Sequence, residues 1–147
     1  MRSLCALVTL LCAFPASGVL AADKVATVAV AVTIAPRTSV HVSSEVLRFV
    51  IADGETSATD SVEFTVGARV ARDADVQLSV EPLGPIDGAI AFNDVNAGTP
   101  IQALSSGVTA AATWHGSGQR TGRLTFTLHA SRPGVYTVPL QFAVTTH

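Results

Sequence analysis

Between Val28 and Ile34 the side chains alternate without exception. Val28, Val30, Val32 and Ile34 fall on one parity, and Ala29, Ala31 and Thr33 on the other. Successive side chains of a strand point to opposite faces, so this stretch reads as a strand with one strongly apolar face. Fully burying four such side chains contributes roughly 1.5–3 kcal/mol each, about 6–12 kcal/mol together as an upper estimate. A whole domain is stable by only ~5–15 kcal/mol. An N-terminal strand over residues 24–35 with that leverage shapes the architecture by where it docks, on its own domain or on a neighbour's.

The same period of two recurs along the chain. Val40 and Val42 alternate briefly after Pro36, and residues 47–51 form another short run. Val62, Phe64, Val66, Ala68 and Val70 alternate with polar residues, and so do Val76, Leu78 and Val80. The short charged link 72–75 between these two runs predicts an antiparallel hairpin. Residues 86–107 look irregular apart from a short strand at Ile90–Phe92. Val108, Ala110, Ala112 and Trp114 then lead to a flexible turn at residues 116–119. A strand at residues 124–130 follows, then a tight turn Ser131-Arg132-Pro133-Gly134, with proline supplying a preset φ and glycine a positive one. The last strand carries Tyr136, Val138, Leu140, Phe142 and Val144 on one parity, and Pro139 within it predicts an edge or a bulge. No stretch has helical periodicity. The expected fold is all-β, an immunoglobulin-like antiparallel β-sandwich of about seven to eight strands formed by residues 22–147 as a single domain.

Arg2, a short apolar run and small residues up to Ala21 describe a secretory signal peptide over residues 1–21, so the protein is expected in the periplasm, at the cell surface or outside the cell. No segment has the length of a transmembrane helix. Cleavage would remove Cys5 and Cys12, leaving an exported chain with no disulfide and no thiol chemistry. The formal charge of the whole chain is −2 and no run of either sign appears, which argues against a nucleic-acid partner.

Candidates for catalysis are few. His41, His115, His129 and His147 have no metal-ligand spacing along one strand, which leaves only a site assembled across strands, and no cofactor is expected. No serine sits in a nucleophile-elbow context. Asp87-Gly88 and the oxygen-rich stretch 93–98 read as turns rather than a calcium loop. Trp114 shares parity with its strand's apolar residues and reads as a core tryptophan. The sequence carries no positive sign of an enzyme.

Several segments together resemble secreted pilin-like sandwich subunits of the chaperone–usher type, namely the spore coat protein U-like group and the cysteine-free colonisation-factor pilins. The shared features are the alternating Val28–Ile34 strand ending at Pro36, the Val-rich segment 40–49, Trp114-His115-Gly116, and the turn Pro133-Gly134-Val135-Tyr136 before an alternating terminal strand. The chain departs from the first group in lacking a disulfide, and from many pilins in carrying Thr146 where a tyrosine is common. The resemblance implies a sandwich lacking its final strand, completed by a neighbour's N-terminal extension. Val28, Val30, Val32 and Ile34 would be inserted, and Tyr136, Val138, Leu140, Phe142 and Val144 would border the groove. The expected partners are copies of itself or related subunits, and a periplasmic chaperone. The alternative is a self-complete immunoglobulin-like binding module in which Val28–Ile34 pairs within its own sheet.

Overall fold

The computed structural model describes residues 35–147, so the strand expected over residues 24–35, apart from Ala35, lies outside the described residues. Among the described residues nine strands are present: β1 (Arg37–Val42), β2 (Val46–Ile51), β3 (Ser57–Arg69), β4 (Asp75–Pro82), β5 (Ala89–Asp94), β6 (Gln102–Ala103), β7 (Thr109–His115), β8 (Gly118–His129) and β9 (Gly134–Thr146). They form two antiparallel sheets, one in the order β1-β3-β8-β5-β6 and the other β2-β9-β4-β7. The architecture is the expected all-β sandwich, with more strands than the sequence suggests. Within the stretch that looks irregular, the expected short strand at Ile90–Phe92 is present as β5, and the unexpected β6 joins it in an edge ribbon with Ala91 opposite Ala103. Among the described residues no helix is long and apolar enough to cross a membrane.

The core follows from period-two patterning. Val62, Phe64 and Val66 of β3 and Leu124, Phe126 and Leu128 of β8 are buried from one sheet. Leu47, Phe49 and Ile51 of β2, Leu78 and Val80 of β4, and Val138 and Leu140 of β9 meet them from the other. Phe92 and Phe126 are register partners on β5 and β8, and their rings stack with centroids 5.4 Å apart, an offset geometry worth ~0.5–1.5 kcal/mol beyond burial. At Gly122, directly opposite Phe64, an added Cβ would come within 2.4 Å of the Phe64 ring and 2.5 Å of Asp94 Oδ2. Only glycine lets the ring lie across β8 there.

Two expectations are corrected. The runs at 62–70 and 76–80 do not form a hairpin: β3 pairs with β1 and β8, while β4 pairs with β7 and β9 in the opposite sheet. The link at residues 72–75 therefore crosses between layers, which lets both strands place an apolar face in one core. The flexible turn expected over residues 116–119 is shorter, since β8 already begins at Gly118 and pairs with Ala68. The turn at Ser131–Gly134 is as expected, with Gly134 at φ 153°.

Candidate functional site: the open edge of the last strand

Backbone amides of a strand point alternately to its two sides, so their partners reveal which edges are filled. Leu140 N–H donates to Glu45 O at 2.7 Å, on the β2 side. His147 N–H donates to Asp75 O at 3.0 Å, on the β4 side. Even-numbered amides of β9 therefore face β2, and odd-numbered ones face β4. Yet β2 covers only Gly134–Pro139 and β4 only Leu140–Thr146. The strand changes partners at Pro139. This residue has no N–H to give β4, and its carbonyl accepts from Leu83 N–H at 2.9 Å. Pro139 thus marks a changeover in a strand that is interior by order but paired with one described strand along each half, a more specific outcome than the expected edge or bulge.

Beyond Leu140 the amides of Phe142, Val144 and Thr146 face the side that β2 has left. Across that seam β1 leans towards β9. Ser43 N–H donates to Glu63 O at 2.9 Å, so odd-numbered amides of the β1 segment face β3, and those of Thr38, Val40 and Val42 face the seam. No described strand lies between these two rows. Side chains agree with the backbone: Val138 and Leu140 are buried, whereas Phe142 and Val144 are only half-buried, Val42 is half-buried, and Val40 is 36% exposed. An apolar seam whose facing amides have no partner among the described residues has the form of a template for an added strand.

The neighbouring edge is capped at two of the three outward amides of β2. Even-numbered amides of β2 point away from β9. Arg48 N–H is taken by Asp60 Oδ2 at 2.8 Å and Val46 N–H by Ser44 Oγ at 3.1 Å. Asp60 occupies an inward parity of β3, in line with Val62 and Phe64. A carboxylate there satisfies the edge of β2 and blocks pairing along it. The half of β9 beyond Leu140 has no such cover among the described residues.

Of the residues expected to border a groove, Tyr136, Val138, Leu140, Phe142 and Val144 all point inward from β9, but β2 covers the first two and reaches the third through Glu45. Only Phe142 and Val144 lie wholly beside the open edge. Val28, Val30, Val32 and Ile34 lie outside the described residues. The opposite bank of Val40 and Val42, and the blocking pair Ser44 and Asp60, are not evident from alternation alone. The available signal is an acid on the apolar parity of a strand.

Tyr136 has a separate role. Its hydroxyl donates to Arg132 O at 2.7 Å, tying the start of β9 to the preceding corner. Trp114 is half-buried against the core, with Nε1 shut off from solvent and without a hydrogen-bond partner. His129 is exposed on the polar face of β8, and His115 pairs with Asp75 on a neighbouring strand. Among the described residues no three His, Cys, Asp or Glu side chains gather as a metal ion would require. Asp94 Oδ1 accepts from Asn96 and Ala97 N–H at 3.0 and 3.1 Å, so the oxygen-rich stretch is a turn built on its own first carboxylate.

Together these features define an immunoglobulin-like sandwich. The order β1-β3-β8-β5 reproduces A-B-E-D, β4 and β9 take the places of C and F, and Tyr136 forms the corner found at the start of F. The strand β7, added beside C, arises between D and E and is a departure from that plan. Among the described residues, strand G, which flanks F, has no counterpart except β2 along half its length. No family model, curated protein or solved structure matches the chain.

Proposed function

We propose that the protein is an exported structural or adhesive subunit that assembles by strand complementation into a fimbria-like or coat-like surface polymer. The carrying observation is the open far half of β9, where the amides of Phe142, Val144 and Thr146 and the half-buried side chains of Phe142 and Val144 meet no described strand. The complementary element is Val28–Ile34, whose four apolar side chains share one parity. An added strand sits about 4.8 Å from each neighbour, so β1, which leans across the seam, would swing outward to admit it.

Sequence favours occupation by another copy. To enter its own seam and pair with β1, the full strand ending at Ile34 would have to reverse before β1 starts at Arg37. Only Ala35-Pro36 lies between them. Tight hairpin turns use residues at positive φ, and a residue before proline is held in extended conformations. A head-to-tail donor relieves this constraint and generates an open filament. No catalytic role is proposed.

The test compares the chain lacking residues 1–21 with one lacking residues 1–35. The shorter chain is expected to be less stable and monomeric, and to regain stability with a peptide of residues 24–35. The longer chain is expected to form concentration-dependent oligomers. A longer chain that is a stable monomer at high concentration, with residues 24–35 protected from hydrogen exchange, would instead establish the self-complete binding module.

A further inference from the structure

The chain is acidic overall, yet the fold separates charge by face. The outward parity of β1, β3 and β8 carries Arg37, Arg69 and Arg123 against a single acid, Glu63. The outward parity of the other sheet carries Asp75 and Glu81 against Arg48. Arg37 and Arg69 are direct register partners, an arrangement that costs stability when like charges stand opposite. Neither has a carboxylate partner among the described residues, where the ion pairs are His115–Asp75 and Arg123–Glu63. A hollow of about 460 Å³ at this end of the sheet is lined in part by Arg37, Ser39, Gly67 and Arg69. A second, of about 300 Å³, lies around Glu63, Thr65, Thr121 and Arg123. Between Arg69 and Glu63 the strand rises roughly 20 Å. Two cationic stations at that separation, with hydroxyls between them, suit an extended anion better than a single ion.

We infer that the outer face of the five-stranded sheet binds an acidic polysaccharide, gripping its carboxylate or sulfate groups at Arg37–Arg69 and, further along, at Arg123. Guanidinium groups offer paired donors to such oxyanions, and the serine and threonine hydroxyls between them match sugar hydroxyls. A nucleic acid fits less well: among the described residues no Phe, Tyr or Trp has the outward parity of this face for base stacking, and three arginines are few against the charge density of a duplex. The inference uses a different surface from the open edge of β9, so either reading can fail alone.

The test is equilibrium binding of the chain lacking residues 1–21 to heparin and to polygalacturonate over a range of salt. These probes separate sulfate from carboxylate recognition. The expected result is salt-dependent binding to at least one, weakened about tenfold or more by Arg37→Gln with Arg69→Gln, with a shallower salt slope. Glu63→Gln, which releases Arg123, is expected to tighten binding about two- to fivefold, an increase that loss of folding would not mimic. Arg48→Gln on the opposite face is expected to leave binding unchanged. Lack of binding to both probes at low salt, equal affinity of the double variant, or equal binding to a DNA duplex of similar length would overturn the inference.

Discussion

Replacing Phe142 by alanine separates a side chain waiting for cover from one that already has it. Phe126 is fully buried and stacked on Phe92, and truncating a phenylalanine in such a setting costs about 3–5 kcal/mol. Phe142 points into the same core but is partly exposed, so its truncation in the uncomplemented subunit is expected to cost less, ~2–4 kcal/mol. Once a strand lies beside it, the cost rises towards the full value. The difference, ~1 kcal/mol, must appear as weaker strand binding of about fivefold. Urea unfolding of the dilute subunit measures the first quantity. Titration of a residue 24–35 peptide into the chain lacking residues 1–35 measures the second. Unchanged peptide affinity, or a subunit already destabilised as much as by Phe126→Ala, would refute the assignment of Phe142 to an open edge.

Three further outcomes follow from the same geometry. Tyr136→Phe removes the hydroxyl bond to Arg132 O and is expected to cost about 1 kcal/mol in chemical denaturation; no change would mean the corner does not hold β9. Gly122→Ala drives a methyl into Phe64 and Asp94 and is expected to lower stability by ~1–3 kcal/mol or more, read as a lower melting temperature. Asp60→Ala frees Arg48 N–H on the edge of β2, so light scattering is expected to detect off-pathway aggregation at concentrations where the parent assembles normally or stays dispersed.

Period-two alternation discloses the class of the fold because a sandwich buries alternate residues, and β3, β8 and β9 show this plainly. Pairing is a different matter. The link at residues 72–75 is short enough for a hairpin, and nothing local distinguishes a hairpin from a crossing between sheets. That distinction depends on β4 finding β9, more than sixty residues later, a long-range choice with no local trace. Residues 86–107 disclose only the middle of β5, Ile90–Phe92, because Asn93 and Asp94 belong to strand and turn at once, and they hide the two-residue β6. Pro139 signals an irregular strand, but only the observed pairing reveals a change of partners there. The open edge is half-legible: the sequence identifies the inward parity of β9, whereas the late start of β2 at Val46, which leaves Phe142 and Val144 beyond its reach, is a matter of register. The blocking acid Asp60 breaks the apolar parity of its strand, a deviation that local patterning records without explaining.

Hydrogen exchange at the amides of Phe142, Val144 and Thr146, followed as a function of protein concentration, tests the open-edge account most directly. For the chain lacking residues 1–21, these three amides are expected to exchange rapidly when dilute and to become protected as oligomers form, while Gln141, Ala143 and Thr145, which face β4, stay protected throughout. Strong protection of the first set in a dilute, verified monomer would contradict the account, because the edge would then be closed without a neighbour.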